Sequence, residues 1–150
     1  DTLDNEFATL WYGVIDPNSR KLTYASAGHD PPFIIRAPDG KLPTHESVHP
    51  LGVGGLVLGI DPTQTYHRFV HQLEAGDVLV ALTDGITDAR NFENERFGWT
   101  RLVQSVLDTL TESPSASAAH ILEQVFWNLR RFAGLRKQVD DETLVVLRVT

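Results

Sequence analysis

Three short segments of this chain carry residue types able to do chemistry. The first is Thr83-Asp84-Gly85, at the C-terminal end of Asp77-Val78-Leu79-Val80-Ala81-Leu82, which is apolar after its first residue. A strand buried on both faces that stops on Asp-Gly sets one carboxylate at the rim of its sheet. The glycine lets the backbone turn and approach a ligand closely. An ordinary Asp-Gly turn fits the same residues. The second segment is Asp140-Asp141, directly before the apolar run Thr143 to Val149. Alone it reads as an acidic loop end or a capping pair. The two segments together say more, because the end of one strand and the start of an antiparallel neighbour share a rim. If strands 77–82 and 143–149 pair that way, Asp84 converges with Asp140 and Asp141. Carboxylates held close together repel, and a cation relieves the repulsion. Oxygen donors without His or Cys suit a hard ion such as Mg²⁺ or Mn²⁺. Two such ions activate a water and clamp a phosphoryl group.

The third segment is Ala27-Gly28-His29-Asp30-Pro31-Pro32. His29 sits in a corner set by glycine and proline. It reads either as a proton donor near a phosphate, or a group supporting the metal ligands, or as a side chain that holds the corner by bonding to backbone. The histidines at 45, 49, 67, 71 and 120 share no ligand spacing on a common helix. Gly52-Val53-Gly54-Gly55 neither follows a clear strand nor opens a helix, which argues against a dinucleotide loop. No serine or threonine has the context of a nucleophile elbow. Arg130-Arg131 and Arg136-Lys137 form a small basic patch that reads as a solvated face.

These segments need a scaffold to position them, and the first third of the chain reads as β. Residues 7–15 are rich in aromatic and β-branched types, Asp16-Pro17-Asn18-Ser19 is a turn, and 21–26 alternates, so 7–26 predicts a hairpin. Phe33-Ile34-Ile35 starts a third strand, and Pro38-Asp39-Gly40 turns. Residues 41–64, with three prolines and four glycines, read as a long ordered loop. Tyr66 to Leu73 alternates as a strand. The period then becomes helical: Leu102, Val106 and Leu110 fall four apart, with Val103 and Leu107 beside them. Ser113-Pro114 reads as an N-cap and first helical position, opening a helix whose stripe is Ile121, Leu122, Val125, Leu129 and Phe132; it stops at Gly134 or extends through Leu135 and Arg136. The order favours an α+β fold, antiparallel sheet with helices packed on it.

Composition bounds the function. The chain has 150 residues, a net charge of −7 and 41% hydrophobic residues, enough for one domain or a large part of one. With no cysteine there is no disulfide, thiolate zinc site or Cys nucleophile. The acidic balance argues against a nucleic-acid or anionic-membrane binder. No apolar run approaches a bilayer span and no signal peptide is present, so the expectation is a cytoplasmic protein. The lack of any Met, initiator included, hints at a chain cut from something longer.

Taken in order, several pieces resemble a known pattern: Phe7 to Asp16, then Leu22-Thr23-Tyr24-Ala25-Ser26-Ala27-Gly28-His29-x-Pro31-Pro32, Leu51-Gly52, and Leu73-x-x-Gly76-Asp77-x-Leu79. Thr83-Asp84-Gly85-Ile86-Thr87-Asp88-Ala89-Arg90-Asn91, Phe97-Gly98 and Asp140-Asp141-x-Thr143-Leu144 complete it. The whole is similar to the SpoIIE-type branch of the metal-dependent, type 2C protein serine/threonine phosphatases. The resemblance implies an α-β-β-α sandwich, two antiparallel sheets flanked by helices. It implies a two-ion Mn²⁺/Mg²⁺ centre where metal-activated water hydrolyses a phosphoserine or phosphothreonine. By position, Asp84 matches a metal ligand of the family, and Asp140 another, with Asp141 adjacent; Gly85 permits the close approach. The family's further acidic segments, Gly-Gly-Asp and Asp-x-x-Gly-His-Gly, do not occur here. The expectation is therefore that 1–150 is the C-terminal portion of a single SpoIIE-type domain whose N-terminal part is absent. Glu142 stands where the family has an apolar residue. The implied substrate is a phosphorylated anti-anti-sigma-type regulator, and the implied neighbour in the parent chain a sensor or receiver domain. The alternative is a pseudophosphatase that binds the regulator without turning it over. Exposed strand edges in a partial sandwich would also invite pairing with a second copy.

Overall fold

A computed structural model of the chain describes residues 6–37, 41–52 and 54–150. The expected turn at Pro38-Asp39-Gly40, and Val53 of the glycine segment, lie outside the described residues. The chain forms two compact units, residues 1–31 with 50–75, and residues 32–49 with 76–150.

The first unit is built on a three-stranded antiparallel sheet in the order β1-β2-β5. Strand β1 runs Leu10–Asp16, β2 Lys21–Ala27 and β5 Phe69–Gln72. The predicted hairpin is present, with Leu10 opposite Ala27 and Asp16 opposite Lys21. Its turn is held by the Asp16 carboxylate, which accepts from the Asn18 N–H at 2.8 Å and the Ser19 N–H at 3.3 Å. On one face Trp11, Tyr24 and Phe69 stack in succession, with ring centroids 5.6 and 5.3 Å apart. Tyr12, Val14 and Val70, on the other face, are exposed.

The second unit holds a four-stranded sheet, β4-β3-β6-β7, in which β3 (Phe33–Ile35), β6 (Val78–Leu82) and β7 (Leu144–Arg148) are antiparallel neighbours. Strand β4, Val48–Pro50, and a single 3₁₀ turn at His45–Ser47 fall inside the stretch expected to be loop. Pro43 precedes the strand and Pro50 ends it; at a sheet edge a missing N–H costs no ladder bond, which is why proline-rich sequence hid it. Helices α1 (Asp84–Asp88), α2 (Gly98–Glu112) and α3 (Ala118–Ala133) belong to this unit. Alternate residues Val78, Val80 and Leu82, with Phe33 and Ile35, form one core with Leu102, Val106, Ile121, Val125 and Leu129. Ile34 and Leu79, on the opposite face of the sheet, are buried too, as the continuous apolar run required.

Helix α3 corrects the reading of its start. Ser117, not Ser113, is the N-cap, its hydroxyl accepting from the His120 N–H at 3.1 Å. Ser113 instead closes α2, its N–H bonding to the Thr109 carbonyl. The Arg148 guanidinium of β7 binds the carbonyls of Pro114 and Ala116, each at 2.6 Å, so the Ser-Pro pair is pinned as a turn. Gly134 ends α3 as expected, at φ 62°. Asp77, at the head of β6, is buried and takes two bonds from the Arg36 guanidinium at 2.9 and 2.6 Å. Among the described residues no helix is long and apolar enough to cross a membrane.

Candidate functional site

Strands β6 and β7 pair antiparallel with Leu82 opposite Leu144, so the end of one and the start of the other lie at one edge of the sheet. Thr83 extends that pairing. Its N–H donates to the Thr143 carbonyl at 3.0 Å. Its hydroxyl donates to the Asp141 carbonyl at 3.1 Å and accepts from the Thr143 N–H at 3.0 Å. One threonine side chain thus ties together the two segments singled out in the sequence. Gly85 brings them closer still, for a Cβ there would lie 2.3 Å from the Asp141 carbonyl oxygen and 2.9 Å from its carbon. The glycine admits a close approach, and the group it admits is the chain's own backbone.

Asp84 is the first residue of α1, where a plain Asp-Gly turn is one of the two readings; the Thr87 hydroxyl closes the short helix by donating to the Asp84 carbonyl at 3.1 Å. Asp84, Asp140 and Asp141 are exposed. Asp140 accepts the N–H of Asp141 at 2.7 Å on one carboxylate oxygen. Among the described residues none of these three carboxylates is in an ion pair; Arg36, Arg96 and Arg101 pair instead with Asp77, Asp88 and Glu95. The donor set suits a hard cation in kind: oxygen only, accessible and not already neutralised. The structure joins the two segments through Thr83 and the Asp141 backbone, but among the described residues no three His, Cys, Asp or Glu side chains are grouped to hold a metal, so the expected convergence of Asp84 with both Asp140 and Asp141 is not made by the three carboxylates.

Beside Gly85 and Asp140 lies a cavity of about 400 Å³. Arg90, Arg130, Arg136 and Lys137 line it, with Glu142 and Asp88. Burial pushes the Glu142 carboxyl up, and the nearby Arg130 charge opposes that rise. Arg136 anchors the wall, its guanidinium donating to the Asn91 carbonyl and, at 3.2 Å, to Asn94 Oδ1. The basic residues read as a solvated face thus surround a pocket. Their clustering with Arg90 arises from α3 stopping at Gly134 and the chain folding back, which helical periodicity alone did not reveal. Arg131, by contrast, stacks 4.4 Å over the Trp127 ring.

His29 belongs to the first unit. Its Nδ1 is 3.0 Å from the Thr9 hydroxyl, and Gly28, at φ 65°, donates its N–H to the Gly54 carbonyl at 2.9 Å. The partner of this ring nitrogen is a side-chain hydroxyl, where the structural reading of His29 expected backbone.

Two antiparallel sheets, a helical layer in the second unit and an acidic pair of segments joined at a strand edge define an α+β fold of the type 2C phosphatase kind. The SiaA-PP2C domain of Pseudomonas aeruginosa matches it with a TM-score of 0.74 over 99% of this chain and 54% of that one, at 21% identity. The model of the family Stage II sporulation protein E (SpoIIE) matches residues 1–150, and the chain belongs to that family. Protein IcfG of Synechocystis sp. (strain ATCC 27184 / PCC 6803 / Kazusa) is 35% identical over 141 residues, covering 94% of this chain and 20% of IcfG. Phosphoserine phosphatase RsbU of Bacillus subtilis (strain 168) is 32% identical over 145 residues, covering 95% of this chain and 39% of RsbU. The chain therefore spans well under half the length of these curated relatives.

Proposed function

We propose that residues 1–150 are the C-terminal portion of a single SpoIIE-type phosphatase domain, and that the protein removes phosphate from a phosphoserine or phosphothreonine on a cytoplasmic regulator of the anti-anti-sigma type. The observation that carries this reading is the junction at Thr83 and Gly85, which brings the segment of Asp84 against the backbone of Asp141. Similarity to RsbU, a phosphoserine phosphatase, supports the reaction class.

Asp84, Asp140 and Asp141 are the residues that would hold Mn²⁺ or Mg²⁺, together with donors from elsewhere in the protein. When bound, such ions supply Lewis acidity toward phosphoryl oxygens and a water of lowered pKa. The chain's own contribution is placement. Thr83 fixes the spacing between the two acidic segments through three hydrogen bonds, and Gly85 lets them approach without an intervening side chain. A sensor or receiver domain in the same polypeptide would set when the site works.

The test is phosphate release from a phosphoserine peptide by the full-length protein, with Mn²⁺ and after chelation. Asp84→Asn and Asp140→Asn should each cut the metal-dependent rate by at least ~100-fold, as removal of a principal electrostatic group does. Absence of metal-dependent release by the unaltered protein, or an Asp84→Asn rate equal to it, removes the reading. Regulator binding without metal or turnover would make the chain a binding module instead.

A further inference from the structure

The cavity beside Asp140 has a composition that metal chemistry does not explain. It is lined by four cationic residues and three acidic ones, and the acidic ones are largely committed. Asp88 pairs with Arg96 at 3.1 Å, and Asp140 is a metal ligand in the reading above. Only Glu142 remains to face Arg130. Among the cations, Arg90 donates to the Asn94 carbonyl at 2.9 Å and Arg136 to Asn91 and Asn94, so these two build the wall. The side chains of Arg130 and Lys137 hydrogen-bond to nothing among the described residues, and Arg130 and Lys137 are exposed. The wall is anchored as well as charged: the Phe92 ring lies against Gly134, where an added Cβ would stand 3.1 Å from it.

We infer that Arg130 and Lys137 recognise an acidic side chain, Asp or Glu, that flanks the phosphorylated residue of the protein substrate. The inference rests on the phosphatase reading for the position of the phosphate, and it assigns that substrate a local sequence character. Two cations unpaired by hydrogen bonds on an anchored wall, adjoining a proposed metal ligand, match a carboxylate a few residues from the reacting serine. In that reading the phosphoryl group would sit at the ions that Asp84 and Asp140 would hold, not on the two cations.

The experiment compares two phosphoserine peptides with the full-length protein, one with Asp and Glu on both sides of the phosphoserine, the other with Ala there. The unaltered protein should favour the acidic peptide in kcat/KM by about tenfold, the effect of two partly exposed charge pairs. Arg130→Gln with Lys137→Gln should bring that ratio close to one, mainly through KM on the acidic peptide, and Arg130→Lys should retain part of it. Raising salt should shrink the ratio. Turnover of the Ala peptide by the variants shows that they fold. No preference in the unaltered protein, or a preference that survives the double substitution, overturns the inference. So does an equal loss on both peptides, which would place the two cations at the phosphate itself. If neither peptide is hydrolysed, the phosphatase reading has failed; fluorescence-anisotropy binding of the unphosphorylated acidic peptide, weakened or not by the same substitutions, then still decides the inference.

Discussion

Replacing Gly85 with alanine tests the junction on which the site depends. Gly85 lies inside α1 with a backbone conformation open to any residue, so conformation alone would favour the change: an unhindered Gly→Ala in a helix gains ~1 kcal/mol. Against this stands the space available. The new Cβ would be 2.3 Å from the Asp141 carbonyl oxygen, where ordinary contact begins at 3.4 Å, a shortfall of about 1 Å. The obstructing atom is backbone, so no rotamer change relieves it. Moving Asp141 back by that amount takes its carbonyl out of reach of the Thr83 hydroxyl, now at 3.1 Å. Overpacking of this kind costs ~1–3 kcal/mol and the lost hydrogen bond ~1, which outweighs the helical gain and leaves about 1–3 kcal/mol of destabilisation. At about 2–4 °C per kcal/mol for a domain of this size, Tm should fall by roughly 2–12 °C in a thermal scan followed by circular dichroism. The same displacement separates Asp84 from Asp141, and a 1 Å error at a reacting centre costs on the order of 100-fold in rate, readable as Mn²⁺-dependent phosphate release by the full-length protein. A variant that melts higher than the unaltered protein would refute the reasoning, because the helical gain would then have met no opposing contact.

Three other perturbations probe the scaffold. Asp77→Ala removes the buried partner of Arg36 and should destabilise by about 3 kcal/mol in urea unfolding, a value tempered by the partial exposure of Arg36. Ser117→Ala should cost about 1 kcal/mol and Ser113→Ala less than about 0.5, since only the first hydroxyl caps α3; the reverse order would restore the helix start suggested by Ser-Pro. The Asp16 carboxyl is held below its ordinary 3.8 chiefly by the Asn18 N–H. Its depressed folded pKa means that its contribution is present above the unfolded value and fades as pH falls through the folded one, so an NMR titration should place its midpoint under 3.8.

The scaffold was legible wherever one physical signal dominated. Alternation in 21–26, the unbroken apolar run before Thr83 and the four-residue spacing of Leu102, Val106 and Leu110 each left one economical way to bury their side chains, and the structure takes it. Legibility failed where a distant residue decided a local outcome. Ser113-Pro114 carries a sound capping signal, yet Arg148 of β7 holds that segment as a turn and passes the cap to Ser117. The same division runs through the site. That Asp84 and Asp140-Asp141 share an edge follows from the antiparallel pairing of two apolar strands, a regularity visible in the sequence. That Gly85 serves the Asp141 carbonyl, and that Arg130 and Lys137 face a pocket, depends on how the 134–141 segment returns from α3 to β7. A return loop has no period to read; its course is set by Gly134 and by the bonds of Arg136 to a segment 42 to 45 residues earlier. The end of β6 that places Asp84 therefore answers to regular structure, while the return segment, which carries Asp140 and Asp141 as well as the wall proposed to select the substrate, answers to a few long-range bonds. Loop substitutions at 134–139 should accordingly lower Mn²⁺-dependent phosphate release by the full-length protein as well as change its preference between acidic and neutral phosphoserine peptides, and a loop variant that changes preference with release intact would refute this shared dependence.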